Sequence, residues 1–462
     1  MQKPSNAQGT RDFGPEVMRK RDFILQSIRR VFIKYGFEPI ETPALENLST
    51  LEGKYGEEGD KLLYKIRSNQ DLRSRITDVE DLEKYDDLFN KSKEFQWLPS
   101  KSKLGLRYDL TIPFARFVVQ HRNDITFPFR RYQIQQVWRG DRPAKGRYRE
   151  FTQCDADCIG SKSLLHEADL IQIYNEAFTA IGLTSAVVKI NHRKFLEALV
   201  DELKLDFPVG RFTSTLDKLD KIGEEGVMKE LVGYGVDEAK CKQLFTIIGN
   251  AELTAENLHT FAKAFNNNAI VQEAIDDLEA VLRYLGDSKL NIRIELDLSL
   301  ARGLDYYTGC IFEAIVPESG MGSISGGGRY DNLTGVFGLK DVSGVGISFG
   351  IDRIYEILEA ERLWPENLHI NATVLICHFD EACQLYGVGV AAELRDAGLQ
   401  SVVYSENKRI SKQFDYASKI GVRHVIVIGE SEMESGALTL KDLTLGEQEN
   451  LSIQEIITKL AE

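Results

Sequence analysis

Three arginines in the sequence stand in settings that suit the binding of a phosphate group. Arg139 lies in WRGDRP, at the corner between a strand-like segment and a turn-rich loop, where a lone arginine is more often a surface residue. Arg302 lies in LARGLDYYTG, beside two tyrosines and an aspartate. Arg353 falls in the first turn of a predicted helix, where the helix dipole disfavours a cation. It therefore needs a partner such as a carboxylate, a phosphate or an aromatic base.

Basic residues are concentrated around the first of these arginines, although the chain as a whole is acidic. The 462 residues carry a formal net charge of −14, which argues against a protein that coats nucleic acid non-specifically. Residues 121–150 nevertheless contain only three acidic residues against eight basic ones: Arg122, Arg130, Arg131, Arg139, Arg142, Lys145, Arg147 and Arg149. A solvated basic face usually mixes in more acids, so the pattern favours a pocket for a polyanion.

The segment that follows the basic loop has two different faces if it is extended. Residues 130–139 and 148–159 are typical of two strands joined by a loop, and side chains alternate along a strand. One face of the second strand is small and mostly apolar: Thr152, Cys154, Ala156 and Cys158. If that face is buried, Gln153, Asp155 and Asp157 line up on the other. An amide and two carboxylates in a row suit the binding of an ammonium group.

A run of glycines, Gly326–Gly328, precedes Arg329, Tyr330 and Asp331. It matches neither the P-loop pattern nor the dinucleotide-binding pattern of glycines. Alone it would be an ordinary flexible loop. Beside the three arginines it indicates a close approach of the backbone to a small ligand.

The elements that must position these residues are predicted from periodicity. Residues 16–35 have apolar residues at helical spacing, followed by Gly36 as a stop signal. Residues 192–290 are helical in pattern and are interpreted as an inserted helical domain, whereas 68–103 are interpreted as a surface insertion of uncertain structure. Strand-like sequence follows at 292–298, 311–316 and 342–349. After Trp364 and Pro365, apolar strands alternate with helical segments, which indicates a compact α/β domain.

The composition indicates a globular protein of the reducing cytoplasm. The chain is 43% hydrophobic and 28% charged, and it contains no apolar run long enough to cross a membrane and no signal peptide. Its six cysteines are scattered and form no CxxC pair. The closest two, Cys154 and Cys158, are explained better by shared packing on one strand face than by a metal site.

Three segments together resemble the histidyl-tRNA synthetase family: LRYDLTIPFAR at 106–116, LARGLDYYTG at 300–309 and GGGRYDNL at 326–333. Residues 37–47, 130–159 and 344–354 are similar to motifs 1, 2 and 3 of class II synthetases. The resemblance implies an α+β fold, with an antiparallel-sheet catalytic domain over residues 1–365 that contains the two insertions. It also implies a C-terminal α/β anticodon-binding domain over 371–462. Asp109 stands where some bacterial relatives carry Glu, which resembles the branch that includes the eukaryotic enzymes.

The resemblance also implies an activity and its substrates. Histidine is activated by ATP, which arrives as its Mg²⁺ complex, and is then transferred to the 3′ end of tRNA(His). No protein-bound zinc is expected, and no editing domain is needed. The family forms homodimers through the catalytic domain.

Residue roles follow from the same resemblance. Arg139 and Arg302 are expected to flank the α-phosphate, Arg353 to stack on the adenine, and Arg147 and Arg149 to meet the distal phosphates or the tRNA end. The residues expected around the histidine, besides Arg302, are Asp109 and Tyr307 at the imidazole, Thr111, Gln153 and Asp157 near the α-amino group, and Tyr306.

Rival interpretations come from different functional classes. Paralogues of this family regulate the phosphoribosyltransferase of histidine biosynthesis, but they have degraded active-site motifs and lack the C-terminal domain. Here Arg302–Tyr307 is intact and a C-terminal α/β region follows. A different class II synthetase would not carry the two histidine-specific segments. A generic phosphate-binding protein would explain the basic hairpin but not the segments around Asp109 and Tyr307.

Overall fold

The computed structural model describes residues 3–66, 103–205, 209–265, 268–301, 307–365, 368 and 374–461. The chain divides into two compact units, Met1–Leu363 and Trp364–Glu462. Almost all of the predicted surface insertion, 68–103, lies outside the described residues, and so do Arg302 and Tyr306.

The first unit combines short and long elements of both kinds. Its helices are α1 (Pro15–Lys34), α2 (Leu48–Leu51), α3 (Gly56–Asp60), α4 (Thr111–Gln120), α5 (Leu165–Ala180), α6 (Arg193–Glu202), α7 (Val209–Leu216), α8 (Leu219–Gly233), α9 (Glu238–Ile247), α10 (Ala255–Ala264), α11 (Ala269–Leu285) and α12 (Ile351–Glu361), with a 3₁₀ turn at Leu333–Phe337. Its strands are β1 (Glu38–Pro39), β2 (Leu45–Asn47), β3 (Lys65–Ile66), β4 (Leu104–Leu106), β5 (Phe129–Trp138), β6 (Glu150–Ile159), β7 (Val187–His192), β8 (Asn250–Glu252), β9 (Arg293–Asp297), β10 (Cys310–Ile315), β11 (Ser325–Tyr330) and β12 (Gly344–Gly350).

Within the described part of this unit, nine strands form one sheet in the order β1-β5-β6-β12-β11-β10-β7-β9-β8. Most neighbours are antiparallel, and only β1–β5 and β7–β9 run parallel. The predicted hairpin is confirmed as β5 and β6, which pair over ten residues from Phe129–Ile159 to Trp138–Glu150. Strands β2, β4 and β3 form a separate small sheet.

Helices α1 and α5 cover one face of the large sheet. The predicted helix at 16–35 is confirmed as α1, which starts with Pro15, a residue preorganised for the first helical turn. Its buried Phe32 lies 5.7 Å from Tyr132 of β5 and 6.0 Å from Phe349 of β12, between ring centroids. Tyr174 of α5 packs on the same Phe349 at 5.3 Å. Since this face is filled by apolar packing, any ligand site on the sheet belongs to the opposite face.

The glycine run is a strand in the interior of the sheet, whereas its local sequence taken alone is typical of a flexible loop. Gly326–Gly328 form the middle of β11, between β10 and β12. A side chain at Gly327 would collide with Gly346 O on β12. Glycines have no side chains, so an apolar–polar alternation could not reveal this strand, and tertiary pairing overrides their low strand propensity.

The segment predicted as a helical insertion is mainly helical. Helices α6–α11 lie between β7 and β9, and Phe195 of α6 packs 6.0 Å from Phe265, which follows α10. A strand that the sequence pattern did not indicate, β8, pairs antiparallel with β9 and joins the edge of the large sheet.

The second unit is an α/β domain, as the alternating pattern predicted. Its elements are β13 (Val374–His378), α13 (Glu381–Asp396), β14 (Ser401–Val403), α14 (Ile410–Lys419), β15 (His424–Ile428), α15 (Glu430–Ser435), β16 (Leu438–Asp442), β17 (Gln448–Leu451) and α16 (Ile453–Ala461). Strands β14, β13 and β15 are parallel, and β16 and β17 add an antiparallel edge. Among the described residues of the whole chain, no helix is both long and apolar enough to span a membrane.

Candidate active site

The polar row predicted on β6 lies on the sheet face opposite helices α1 and α5. Directly paired residues of neighbouring strands share a face. Asp157, Asp155 and Gln153 are therefore flanked on β5 by Arg131, Gln133 and Gln135, and on β12 by Gly346, Ser348 and Gly350. Burial of the small face is confirmed, since Cys154 and Ala156 are fully buried. The aspartates are buried as well, with only 2% of Asp155 and 4% of Asp157 exposed.

Beside this row, most positions on the same face of the sheet are glycines, which have no side chains. Four glycines occupy strand positions whose side chains would lie on the same face as Asp155: Gly346 and Gly350 of β12, and Gly326 and Gly328 of β11. A Cβ at Gly346 would collide with the Asp157 carboxylate. A Cβ at Gly328 would lie 2.9 Å from the ring of Tyr307. We call this surface the glycine floor; its lack of side chains lets the Asp157 carboxylate and the Tyr307 ring lie directly against the backbone.

Asp157 is held by two protein partners. Its Oδ2 lies 2.7 Å from Nη2 of Arg131, whose guanidinium also stacks on the ring of Phe114 at 4.2 Å. Its Oδ1 accepts a hydrogen bond of 2.7 Å from the Tyr330 hydroxyl. Burial raises the pKa of Asp157, whereas Arg131 and the Tyr330 hydrogen bond oppose the rise. The ion pair with Arg131 therefore supports the charged form of this carboxylate.

Asp155 has weaker protein partners. Burial raises its pKa to about 7, the charges of Asp157 and Asp109 add to the rise, and Arg131 and a hydrogen bond from Ser348 oppose it. Its buried Oδ1 accepts no hydrogen bond from the residues that the structure describes. The same holds for Oε1 of Gln153, whose amide donates to the Ser348 hydroxyl at 3.3 Å.

Asp109 is placed just before helix α4. Its buried carboxylate accepts hydrogen bonds through Oδ1 from the Tyr55 hydroxyl, at 3.0 Å, and from the backbone N–H of Ile112, at 3.2 Å. Burial raises the pKa of Asp109, and the nearby guanidinium of Arg139 opposes this. Thr111, another predicted site residue, is the first residue of α4 and is partly exposed.

Arg139 extends from the end of β5 over two aromatic rings. Its guanidinium carbon lies 4.2 Å from the ring centroid of Tyr108 and 5.2 Å from that of Phe151, and its Nε donates to the Tyr108 carbonyl at 3.0 Å. Phe151 belongs to the same face of β6 as Gln153. The structure thus brings Arg139 to the loop end of the polar row, in the vicinity of Asp109.

The two arginines of the loop between β5 and β6 differ in their surroundings. Arg147 forms an ion pair of 2.7 Å with Asp141, and 54% of its side chain is exposed. Arg149 donates through Nε to the Asp141 carbonyl at 3.0 Å and packs against Gly9 of the N-terminal segment. Of the two, Arg147 has the side chain that can reorient toward a ligand.

Arg353 in the first turn of α12 has partners of a kind that the sequence reasoning did not anticipate. Its Nη1 donates to the Ser323 carbonyl at 2.6 Å and its Nε to the Gly146 carbonyl at 3.3 Å. Backbone carbonyls thus offset the unfavourable helix dipole. They also hold the guanidinium beside the β5–β6 loop.

Tyr307 is the described member of the segment that also contains Arg302 and Tyr306. Its ring lies against Gly328 of the glycine floor, so it belongs to the same surface as the polar row. Arg302 and Tyr306 lie outside the described residues. Ala301, the preceding residue, lines a small cleft together with Lys189, Asp297 and Glu313.

No cluster of three or more His, Cys, Asp or Glu side chains suited to a metal ion occurs among the described residues. The carboxylates of the site instead have arginine, tyrosine, serine and backbone partners.

Sequence reasoning missed four side chains that contact Asp109, Gln153 or Asp157: Tyr55, Arg131, Tyr330 and Ser348. For Tyr330 a signal existed, because it directly follows the glycine run and Arg329. For Ser348 and Arg131, only the strand register brings them beside the β6 carboxylates. Tyr55 is more than fifty positions from Asp109 in sequence, and nothing in its local pattern indicates the contact.

Comparisons with known proteins agree with this architecture. The family model described as histidyl-tRNA synthetase matches residues 86–354, and the model of an anticodon binding domain matches residues 371–462. A curated relative from Cytophaga hutchinsonii, named histidine–tRNA ligase, is 47% identical over 461 residues, which cover 100% of both chains. A histidyl-tRNA synthetase crystal structure from Nostoc sp. PCC 7120 superimposes with a TM-score of 0.82 at 28% identity, covering 100% of this chain and 99% of that one.

A further structure, from Bacillus halodurans, is described as an ATP phosphoribosyltransferase regulatory subunit/histidyl-tRNA synthetase. It has a TM-score of 0.71 at 20% identity and covers 92% of this chain and 99% of that one, which indicates a shared fold alone. The large antiparallel-rich sheet and the separate C-terminal domain are those of the class II synthetase fold. The chain belongs to the histidyl-tRNA synthetase family.

Proposed function

We propose that this chain is a histidine–tRNA ligase, which activates histidine with ATP to histidyl-adenylate and transfers the histidyl group to the 3′ end of tRNA(His). The observation that carries the proposal is the arrangement of one cation and several acceptors on one surface. Arg139 lies at the loop end of a row of buried oxygen acceptors, beside the glycine floor. Such a site suits a small zwitterion whose carboxylate must meet a phosphate.

The chemistry of activation requires positioned charge more than proton transfer. The histidine carboxylate is already ionised, so no general base is needed for its attack on the α-phosphate. Cations that stabilise the developing charge lower the barrier. We assign this task to Arg139 and, by resemblance, to Arg302. ATP brings its own Mg²⁺, and no zinc is assigned.

The remaining arginines are assigned to the nucleotide. Arg353 is proposed to stack on the adenine, for which its two carbonyl partners would fix the plane of the guanidinium. Arg147 is proposed to meet the distal phosphates or the tRNA end, since most of its charged side chain is accessible. The resemblance gives Arg149 the same role, and it would have to leave its contact with the Asp141 carbonyl.

Histidine is proposed to contact Asp109, Thr111, Gln153, Asp157, Tyr306 and Tyr307. A neutral imidazole has one donor and one acceptor nitrogen, so it needs an acceptor and a donor from the protein. The amino group is bonded to the same carbon as the reacting carboxylate. Along β6, Gln153 is nearer than Asp157 to the loop that carries Arg139. This order favours the amino group near Gln153, as expected. It also favours the imidazole nearer Asp157 and Tyr307, which changes the expectation that Asp157 lies near the amino group.

The decisive assay is ATP–pyrophosphate exchange with each standard amino acid in turn. Among the amino acids, only histidine is expected to support exchange. A site whose polar groups pair with the imidazole nitrogens rejects side chains that lack such groups by about 10⁴-fold or more. The absence of exchange with every amino acid would favour the regulatory class. Exchange with a different amino acid would overturn the substrate assignment.

Replacing Asp109 should weaken the binding of histidine but not the binding of ATP. Asp109→Asn is expected to weaken histidine binding by about 1–3 kcal/mol, because a charged acceptor in a buried site is lost. The affinity for ATP should change little. Separate calorimetric titrations with histidine and with ATP test this, and equal losses for the two substrates would assign Asp109 to another task.

We further propose that the second unit binds the anticodon and is not needed for adenylate formation. The unit has its own apolar core, and residues 371–462 match the anticodon-binding family model. All residues assigned to activation precede it in the chain, the last being Arg353. The chain is also proposed to be a cytoplasmic homodimer that associates through the first unit, as the family does.

A chain that ends at Leu363 should separate the activation of histidine from the charging of tRNA. It is expected to retain histidine-dependent pyrophosphate exchange but to require a higher tRNA concentration for charging. Both forms must be compared at one salt concentration, since phosphate contacts make tRNA affinity salt-dependent. If the shortened, folded chain charges tRNA as well as the full chain, the second unit has another function. The shortened chain should still sediment as a dimer, because the subunits are proposed to associate through the first unit.

A further inference from the structure

The N-terminal segment, residues 7–13, lies along the loop that joins β5 and β6. The Gly9 carbonyl accepts a hydrogen bond of 2.8 Å from the Arg149 N–H. The Arg149 carbonyl in turn accepts one of 2.9 Å from the Arg139 N–H. The segment therefore adds a third stretch of backbone beside the end of the hairpin that carries Arg139 and the loop arginines.

Gly9 permits this close approach of the segment to the loop. Its φ of +84° lies in the left-handed region, which other residues rarely adopt. A Cβ at this position would also lie 2.8 Å from the Arg149 side chain and 3.0 Å from the Pro143 ring. A larger residue would therefore have to move the segment away from the loop.

Arg11 of the same segment connects the loop to helix α12. Its guanidinium carbon lies 3.3 Å from the centroid of the Tyr148 ring, and its Nη2 lies 2.5 Å from Oδ1 of Asp352. Its Nη1 lies 3.5 Å from Oε1 of Glu356, an oxygen that also accepts a hydrogen bond of 3.1 Å from the Tyr148 hydroxyl. Arg11 therefore contacts one residue of the loop and two of the helix.

This connection joins residues that are assigned to the two ends of ATP. Asp352 directly precedes Arg353, which is assigned to the adenine and donates to the Gly146 carbonyl of the loop. Arg147, which is assigned to the distal phosphates, lies between Gly146 and Tyr148 in the same loop. The distance between the loop and the first turn of α12 therefore sets the spacing of the groups that are proposed to hold one nucleotide.

Helix α12 has a second arginine partner that does not depend on Arg11. Arg21 of α1 lies 2.6 Å from the same Asp352 oxygen and donates to the Thr152 hydroxyl of β6 at 3.1 Å. Asp352 therefore keeps a buried cationic partner when Arg11 is replaced. Since Arg21 contacts the strand whereas Arg11 contacts the loop, loss of Arg11 should affect the loop more than the packing of the helix.

Resting on the proposed function, we infer that Arg11 is a positioning residue for ATP. It holds the β5–β6 loop at the distance from α12 at which Arg353 and the loop arginines bind one nucleotide together. Asp352 and Glu356 already balance the charge of its guanidinium, so Arg11 acts through the loop and not by contact with the nucleotide.

The inference predicts a defect that is specific for ATP. In exchange assays, Arg11→Ala is expected to lower kcat/KM for ATP by about 10- to 100-fold, as for misplacement of groups that orient a substrate. Much of the loss should be a rise in the KM for ATP. Asp109 and Asp157, which are assigned to histidine, are held by Tyr55 and Arg131 instead. The calorimetric affinity for histidine should therefore stay within about threefold of that of the unchanged chain.

A matched control breaks another ion pair between α1 and α12. Lys20 Nζ lies 2.8 Å from Oε2 of Glu359, about two helical turns beyond Asp352. Lys20→Ala should leave the KM for ATP unchanged, because a loss of stability alone lowers the fraction of active enzyme and hence kcat.

Two further variants test the contact itself. Arg11→Lys keeps the charge but loses the planar group that stacks on Tyr148 and reaches two carboxylates, so it should recover only part of the loss. Gly9→Ala displaces the segment without removing a charge, and it should also raise the KM for ATP while leaving histidine affinity unchanged.

An unchanged KM for ATP in Arg11→Ala overturns the inference, and so does an equal rise in Lys20→Ala or an equal loss of affinity for histidine. If the alanine variant does not fold, Arg11→Lys and Gly9→Ala decide by the same criteria. Failure of the proposed function is seen separately, because the unchanged chain would then catalyse no histidine-dependent pyrophosphate exchange. If the unchanged chain is active and Arg11→Ala shows no defect with ATP, only the role of Arg11 is wrong.

Discussion

Arg139→Ala should lower the rate of histidine-dependent pyrophosphate exchange by about 10²–10³-fold, as expected when a preorganised charge donor at the reacting centre is lost. The guanidinium of Arg139 is held by the Tyr108 carbonyl and by two aromatic rings, so it is in position before substrates bind. Since the charge on the α-phosphate develops in the transition state, the rate constant should fall much more than histidine affinity. Single-turnover measurements of adenylate formation, with both substrates saturating, test this expectation.

Two comparisons make the Arg139 result specific. Arg122→Ala removes an exposed arginine from the same basic segment and should leave the rate unchanged. Arg139→Lys keeps the charge but loses the planar fork of donors, so it should recover only part of the rate. A near-normal rate in Arg139→Ala would show that Arg139 does not act at the reacting centre.

Glu167→Ala should lower the free energy of unfolding by about 3–5 kcal/mol, the range for breaking a buried ion pair from one side. Glu167 of α5 is fully buried and meets Arg329 of β11 through two hydrogen bonds of 2.5 and 2.6 Å. Without the glutamate, the buried guanidinium would keep neutral hydrogen-bond partners, among them Ser343. Urea unfolding at one fixed protein concentration measures the change, because association of subunits contributes to apparent stability.

The control for this prediction is an exposed ion pair of the same unit. Glu52 lies 2.6 Å from Lys65, and about half of each side chain is exposed, so Glu52→Ala should cost less than about 1 kcal/mol. A combined Glu167→Leu and Arg329→Met variant should be more stable than Glu167→Ala, since neither buried charge remains. Similar losses for Glu167→Ala and Glu52→Ala would contradict a special contribution of the buried pair.

The ion pair of Glu167 also shows that Arg329 and Tyr330, which are neighbours in one motif, have different roles. Arg329 and Tyr330 stand side by side in GGGRYDNL, and neighbouring residues of a strand point to opposite faces. Arg329 therefore faces helix α5 and contributes to the packing of the first unit, whereas Tyr330 faces the site and binds Asp157. A motif that characterises the family thus contains one residue for stability and one for the site.

Local sequence was sufficient for the elements whose side chains alternate in character. The periodicity of residues 16–35 predicted α1, and the alternation along 148–159 predicted both β6 and the face on which Gln153, Asp155 and Asp157 lie. In the second unit, apolar strands separated by helical segments predicted the α/β domain. These predictions succeeded because the burial of one face leaves a repeating apolar pattern that a single segment contains in full.

Tertiary structure decided what depends on partners that are distant in sequence. The glycine run is an interior strand only because β10 and β12 pair with it. Tyr55 reaches Asp109 only because α2 and Tyr55 pack against α4. The neighbours of the two aspartates follow from the register of β5 and β6, which brings Arg131 opposite Asp157 and Gln133 opposite Asp155. The sequence by itself determined which residues could bind a charged ligand. The register decided which protein groups each of them contacts, because a hydrogen bond or an ion pair depends on distances that no local pattern contains.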